Sequence, residues 1–286
     1  MVSHSMAGVD GLEVSYLEAG DIRDPLMVLL HGFPDSPDSW ADTADWFGER
    51  GYHVVAPWLR GYAPTDVPAD GNYQGGAYVR DVIRLHDVLG GDHRAVLVGH
   101  DIGAAIAYGA ASAAADRWSR VVTISVPPLP LLTQMMLDYV QLRRSWYTFF
   151  FQHPAAEAIV AAGDFAFIEH LWAEWSPGLH HDEALHAAKK ALSAPGRVGA
   201  ALGWYRAGFH PETNRPELGV EQAALSETPK QPWLYLHGES DGCIGSDAVW
   251  LVGHGVTVND AGHFPHLEAP AAVRESIATF LRESTG

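Results

Sequence analysis

Cysteine is nearly absent from this sequence. Among its 286 residues there is one cysteine, Cys243, which excludes an intramolecular disulfide and a cysteine-rich zinc module. Basic residues are also scarce, since 18 Lys and Arg stand against 35 Asp and Glu and give a formal net charge of -17. Such a charge repels nucleic acids and anionic lipids, and no basic patch offsets it. We therefore expect no nucleic-acid partner.

Long hydrophobic runs are missing as well. No segment approaches the roughly 18 uninterrupted apolar residues of a transmembrane helix, and residues 1–8 lack the apolar stretch of a signal peptide. We therefore expect a cytoplasmic protein with no membrane-inserted segment. The patterns HExxH, GxxxxGK and GxGxxG are also absent, so the sequence predicts neither a metal nor another cofactor.

What the sequence does contain is an alternation of short apolar runs with amphipathic helical patterns. Buried strands are predicted at residues 26–30, 53–56, 95–98, 121–124, 233–236 and 256–258. Helical patterns separate these runs, and a final one covers residues 270–281. This order predicts an α/β fold with a mostly parallel central sheet flanked by helices.

The alternation stops between residues 127 and 227. This segment has no strand-like run and is rich in alanine and aromatic residues. A helical cap inserted late into the sheet domain explains this order better than two consecutive domains do. We therefore predict a core domain of residues 1–126 and 228–286 and a cap of residues 127–227.

Residues 99–103 read GHDIG and lie between a predicted strand and a predicted helix. In this strand-turn-helix context the pattern G-x-nucleophile-x-G indicates a nucleophile, because the glycines allow a tight turn that exposes the middle side chain. That side chain is Asp101. A carboxylate displaces well at saturated carbon, where an epoxide oxygen or a halide can leave. Capping of the following helix is the alternative role for Asp101.

Two candidate partners lie downstream of Asp101. Asp241 follows the predicted strand 233–236, and His263 follows the last predicted strand. The chain order of Asp101, Asp241 and His263 is nucleophile, acid and base, which is the order of the triad in α/β hydrolases. Taken singly, Asp241 could be a turn residue and His263 a polar loop residue.

Residues 31–34 read HGFP and follow the first buried strand. The backbone N–H of Phe33 and that of Ile102 are expected to face one point above Asp101. Together they would form an oxyanion hole for the intermediate of ester hydrolysis.

With these motifs in this order, the chain resembles the α/β-hydrolase-fold epoxide hydrolases over nearly its whole length. The resemblance extends to two segments of the cap, residues 145–152 and 202–206. It implies that Tyr147 and Tyr205 are catalytic and activate the epoxide oxygen from the cap. It also implies a covalent hydroxyalkyl ester on Asp101 and a water molecule activated by His263 and Asp241.

The substrate implied by this resemblance is a small neutral epoxide, which reacts with water to give a vicinal diol. We expect Trp146, Phe33 and Ile102 to contact it. The aromatic cap favours an apolar aryl or alkyl substituent. The sequence leaves the oligomeric state open between monomer and homodimer.

Haloalkane and haloacid dehalogenases with an Asp nucleophile are the nearest alternative. Haloalkane dehalogenases usually have Trp directly after the nucleophile, and fluoroacetate dehalogenases have Arg there and again three residues later. This chain has Ile102 and Ala105 at these positions, which favours a neutral epoxide. Epoxide hydrolases often have Trp at the position of Ile102 too, so the width of the pocket is in question. A non-catalytic binding protein on the same fold is the remaining alternative.

Overall fold

The computed structural model describes residues 1–283, so residues 284–286 of the predicted core lie outside it. The strands are β1 (Ser3–Val9), β2 (Leu12–Ala19), β3 (Leu26–Leu30), β4 (His53–Pro57), β5 (Ala95–His100), β6 (Trp118–Ile124), β7 (Trp233–Gly238) and β8 (Gly255–Val258). They form an eight-stranded sheet in the order β1-β2-β4-β3-β5-β6-β7-β8. Strands β3 to β8 pair in parallel, whereas β1 pairs with β2 and β2 with β4 in antiparallel fashion. The predicted α/β class with a mostly parallel sheet is therefore confirmed.

Helices flank the sheet, and the chain segment between β6 and β7 is helical. They are α1 (Ala41–Gly48), α2 (Gly75–Val88), α3 (Ile102–Ala113), α4 (Leu129–Met135), α5 (Tyr139–Arg144), α6 (Trp146–Phe150), α7 (Ala156–Trp175), α8 (Asp182–Leu192), α9 (Arg197–Phe209), α10 (Gly219–Ala224), α11 (Ala248–Val252), α12 (Pro265–Glu268) and α13 (Pro270–Arg282). Helix α7 is interrupted at residues 162–165, where the backbone leaves helical geometry. None of these helices is both long and apolar enough to cross a bilayer.

The central strands β3, β4 and β5 are buried along their whole length. Strands that are covered on both faces need apolar side chains on both faces, which explains their continuous apolar runs. The first two strands were not predicted. Asp10 and Gly11 join β1 to β2, and both have positive φ, 45° and 85°. Asp-Gly is a strong signal for a two-residue hairpin turn, so the sequence did contain the information.

The segment between β6 and β7 is helical, but its helices do not all pack in the same place. Gln222 of α10 accepts a hydrogen bond from the backbone of Gly76 at 2.8 Å, and Glu221 pairs with Arg80 at 2.9 Å. Helix α10 therefore packs on α2, beside the sheet. The division into core and cap remains a proposal, and these contacts favour placing α10 with the core.

The carboxyl ends of the parallel strands bring the distant motifs together. Residues 31–34 follow β3, Asp101 follows β5, Asp241 lies just past β7, and His263 lies in the loop after β8. Parallel strands end at the same edge of a sheet, which is where α/β proteins place their sites.

Candidate active site

Asp101 occupies a tight turn between β5 and α3. Its φ of 54° is unusual for a residue with a side chain. The turn depends on glycine at three places, because a Cβ on Gly99 would collide with the backbone of Gly103, one on Gly103 with the backbone of Leu30, and one on Gly32 with Asp101 itself. The glycines of the motif therefore create the space in which Asp101 stands.

The carboxylate of Asp101 faces the site and does not cap α3, since its side chain makes no hydrogen bond to the first turn of the helix. Instead Oδ1 accepts a hydrogen bond from the backbone N–H of Phe33 at 2.8 Å, and Oδ2 lies 3.5 Å from Nε2 of His263. Burial alone would raise the pKa of this carboxyl, but contact with His263 and its charge outweigh burial and lower the pKa. Asp101 is therefore held as an anion, the nucleophilic form of a carboxyl group.

His263 lies between two carboxylates. Its Nδ1 is 2.9 Å from Oδ2 of Asp241, whose Oδ1 accepts hydrogen bonds from the backbone N–H of Cys243 and Ile244 at 2.7 and 2.9 Å. Burial on its own lowers the pKa of His263, but the charges of Asp241 and Asp101 outweigh it and raise the pKa to about 10. Near neutral pH the imidazole is thus protonated while both acids are ionised.

Tyr147 of α6 and Tyr205 of α9 lie side by side above the carboxylate. Their ring centroids are 5.8 Å apart, and both side chains border the same cavity as Asp101. Burial raises the pKa of each hydroxyl well above its usual value, and the nearby charge of Asp101 adds to the effect. Both hydroxyls therefore remain neutral donors. The Tyr147 hydroxyl also lies 3.4 Å from Sγ of the buried Cys243.

A cavity of about 310 Å³ opens from Asp101. Its walls are largely apolar, and among residues 1–283 Asp101 is the one charged residue that borders it. The lining residues are Asp101, Ile102, Ala105, Val126, Leu129, Leu132, Thr133, Met136, Ser145, Tyr147, Thr148, Trp204, Tyr205, Gly208, Phe209 and Ile244. A buried, ionised carboxylate, two neutral donors and an apolar cavity suit a small uncharged ligand.

Comparison with known proteins agrees with this geometry. The family model described as alpha/beta hydrolase fold matches residues 25–171. The human protein Epoxide hydrolase 4 is 31% identical over 96% of this chain and 77% of its own length. The chain belongs to the α/β-hydrolase-fold epoxide hydrolase family.

Two further relatives extend the match beyond animals. The Bacillus subtilis AB hydrolase superfamily protein YfhM is 28% identical over 98% of both chains. The crystal structure of Epoxide Hydrolase A from Mycobacterium thermoresistibile superposes with a TM-score of 0.78, at 24% identity, over 99% of this chain and 98% of that one. This family is a hydrolase family, and the predicted α/β-hydrolase fold is confirmed.

Trp146, Phe33 and Ile102, the predicted substrate contacts, differ in how they lie relative to the cavity, and their contact with a substrate stays a prediction. Trp146 does not border the cavity, because successive residues of a helix point about 100° apart and Tyr147 takes the inward position. The Trp146 side chain is 42% exposed and packs on Phe150 and Phe167. The ring of Phe33 is buried behind the cavity, whereas Ile102 lines it as predicted.

The predicted oxyanion hole is only partly visible in this family member. The N–H of Phe33 already donates to Asp101. Among the hydrogen bonds of residues 1–283, none runs from the N–H of Ile102 to that carboxylate. Ile102 begins α3 next to Asp101, so its contribution to an oxyanion hole remains a proposal.

Several residues that secure the site were not predicted. The backbone oxygen of Trp175 accepts hydrogen bonds from the N–H of Gly242 at 2.9 Å and of His263 at 3.1 Å, so the end of α7 holds the two loops that carry Asp241 and His263. Gln141 of α5 donates to the backbone oxygen of Cys243 at 3.0 Å and accepts from the N–H of Gly245 at 2.9 Å. These contacts join residues 67 to 104 positions apart in the chain and leave no local pattern by which the sequence could reveal them.

A second polar cluster lies directly behind His263. Asp35, His100 and His266 are buried, and each offers a potential ligand atom within 4.8 Å of the others. Nε2 of His100 lies 2.7 Å from the backbone oxygen of His263. Burial lowers the pKa of His266 to about 3, so its ring is neutral. Asp35 is already hydrogen bonded to the backbone N–H of Ser36 at 2.7 Å. The expectation that no metal binds remains a prediction, and this cluster is the place to test it.

Proposed function

We propose that this protein is an epoxide hydrolase that converts an epoxide and water to a vicinal diol through a covalent ester on Asp101. One observation carries the proposal: an ionised carboxylate shares an apolar cavity with two tyrosines whose hydroxyls are kept neutral. Several relatives that share this fold bear the name epoxide hydrolase.

In the first step, an oxygen of Asp101 attacks a ring carbon and the C–O bond of the epoxide breaks. The departing oxygen would be an alkoxide, which is a very poor leaving group in water. A hydroxyl that is still protonated at neutral pH can deliver the needed proton, and the raised pKa values of Tyr147 and Tyr205 keep both in that form. The products are a hydroxyalkyl ester and one tyrosinate.

The ester changes the electrostatics around His263. Asp101 carries no charge once it is esterified, so one of the two carboxylates that raise the pKa of His263 is lost. His263 then gives its proton to the tyrosinate, which becomes a neutral tyrosine again, and the imidazole becomes neutral. Neutral imidazole, oriented by Asp241, is the form that can act as a base.

In the second step, neutral His263 takes a proton from a water molecule, which attacks the carbonyl carbon of the ester. The backbone N–H of Phe33, with that of Ile102, is proposed to hold the oxygen that becomes negative. Collapse of this intermediate releases the diol and restores ionised Asp101 beside protonated His263. The resting state is recovered with one epoxide and one water consumed.

Dehalogenation is disfavoured by the same residues. A halide leaves as a stable anion and needs no proton, so proton transfer from two hydroxyls above Asp101 would have no role in its departure. Residues that could hold a halide or clamp a carboxylate are replaced by Ile102 and Ala105, both of which border the cavity.

Loss of the tyrosine hydroxyls distinguishes these two reactions. We expect Tyr147→Phe or Tyr205→Phe to lower kcat/KM for epoxide opening by about 10- to 100-fold, and the double variant by about 10³- to 10⁴-fold, because the alkoxide loses its proton donors. Diol formation from styrene oxide is the measurement.

The control is Tyr139→Phe, since that side chain is 73% exposed on α5. It should react like the unmodified protein. Halide release from a panel of haloalkanes that survives in the double variant, when the unmodified protein forms no diol from styrene oxide, would replace the proposal with a dehalogenase. Ligand binding without turnover of any epoxide would indicate a binding protein.

A further inference from the structure

We propose that the substrate is a terminal epoxide, in which one ring carbon carries an apolar substituent and the other carries none. The inference rests on the proposed function and concerns the shape of the same site. It is drawn from the side of Asp101 on which the cavity lies.

The cavity is bordered by Asp101, by the start of α3 and by α4. Ile102 and Ala105 border it from α3, and the apolar side chains of Leu129, Leu132 and Met136 border it from α4 and its end. A substituent that points this way meets hydrocarbon. Ala105 is small and Ile102 is smaller than a tryptophan, which keeps this side open.

The side of Asp101 toward Phe33 is filled. The Phe33 ring packs edge-on against Phe151 at 5.3 Å and against Tyr205 at 5.5 Å between centroids. Trp175 packs against Tyr147 at 4.9 Å and against His263 at 5.0 Å. Phe33, Phe151 and Trp175 are all at most 1% exposed, and none of them borders the cavity.

An epoxide held between Asp101 and the two tyrosines therefore has room for a substituent on one side only. A trans-disubstituted epoxide carries a second group on the other ring carbon, on the opposite face. That group would have to enter the packed aromatic rings around Phe33 and Phe151. The volume of about 310 Å³ is near the lower end of the roughly 300–1,000 Å³ found for ligand sites, so the open side holds one small substituent.

Two matched epoxides test this shape. Styrene oxide is terminal, and trans-β-methylstyrene oxide differs from it by one methyl group on the second carbon. We expect kcat/KM to favour styrene oxide by about 10- to 200-fold, the range that one misplaced methyl group produces in a tight pocket. Equal kcat/KM values for the two epoxides would overturn the inference and leave the proposed function standing. A folded protein that forms no diol from either epoxide would refute the proposed function.

Phe151→Leu and Ile102→Trp test which side chains cause the selectivity, and Phe47→Leu is the control. Phe151→Leu opens the filled side and should reduce the preference for styrene oxide about tenfold. Phe47→Leu removes the same atoms from a buried site in α1 and should leave the preference unchanged, which controls for lost stability. Ile102→Trp fills the open side and should lower kcat/KM for styrene oxide more than for propylene oxide. The same ratio of kcat/KM for styrene oxide to that for trans-β-methylstyrene oxide in Phe151→Leu and Phe47→Leu would overturn the inference.

Discussion

Replacing Asp101 with alanine is expected to reduce diol formation by about 10⁴-fold or more, because in the proposed mechanism the bond to carbon forms on this side chain, and no other ionised group among residues 1–283 borders the cavity. The fold should survive, since the side chain makes no capping bond to α3. Asp116→Ala, which removes an 85% exposed carboxylate, is the control for lost charge and should be fully active. Steady-state diol formation is the measurement.

The origin of the oxygen atoms gives a second measurement of the same step. In a single turnover of the unmodified protein in oxygen-18 water, the oxygen that reaches the diol comes from Asp101, and the label enters its carboxylate. Peptide mass analysis should then find the label in Asp101. Label in the first diol and none in Asp101 would mean that water attacks the epoxide directly, and the covalent mechanism would be abandoned.

His263→Gln is expected to stop the reaction at the ester. Glutamine cannot remove a proton from water, so the second step should slow by about 10²- to 10⁴-fold, while Asp101 still attacks. Intact-protein mass spectrometry should show one added epoxide for each chain, and a burst of one equivalent should precede slow turnover. His254→Gln, on an exposed loop after α11, should show neither.

The stability of the folded protein is expected to depend on pH because of the same ion pairs. The pKa of His263 is raised to about 10 in the folded chain, against roughly 6.5 in an unfolded chain. Its pairing with Asp101 and Asp241 therefore stabilises the fold fully below about pH 6.5 and is lost as the pH rises through about 10. In His263→Gln this alkaline loss of stability should disappear from the thermal midpoint measured against pH. A midpoint that still falls by the same amount would contradict the assigned pKa.

The sequence predicts the sheet and the three polar groups of the site because each depends on local signals. Gly99 and Gly103 define the turn around Asp101, and strand ends precede Asp241 and His263. Parallel strands then bring these ends to one edge. The sheet is confirmed, whereas the catalytic roles remain predictions until the experiments above are done.

The side-chain directions and packing of the cap could not be predicted from local signals in the same way. The direction of a side chain on a five-residue helix depends on what that helix packs against, so Trp146 and Tyr147 look alike in sequence although Tyr147 borders the cavity and Trp146 points about 100° away from it. The filled side of the pocket depends on Phe33 meeting Phe151, which lies more than a hundred residues further along the chain. The sequence identifies Ile102 as an unusual residue after Asp101, but the space that its side chain leaves is seen only in the cavity.

The contacts that hold the cap to the catalytic loops bear on how the diol leaves. Trp175 and Gln141 hold the loops that carry Asp241 and His263 by their backbones. A cap that swung open as a rigid lid would break these hydrogen bonds in every cycle and move Asp241 and His263 out of place. We therefore expect product to escape through the mouth of the cavity that Asp101 and the α4 residues Leu129 and Leu132 border, while the cap stays docked. A disulfide that ties the cap to the core away from this mouth should leave kcat unchanged, and a loss of turnover on oxidation would show that the lid must open.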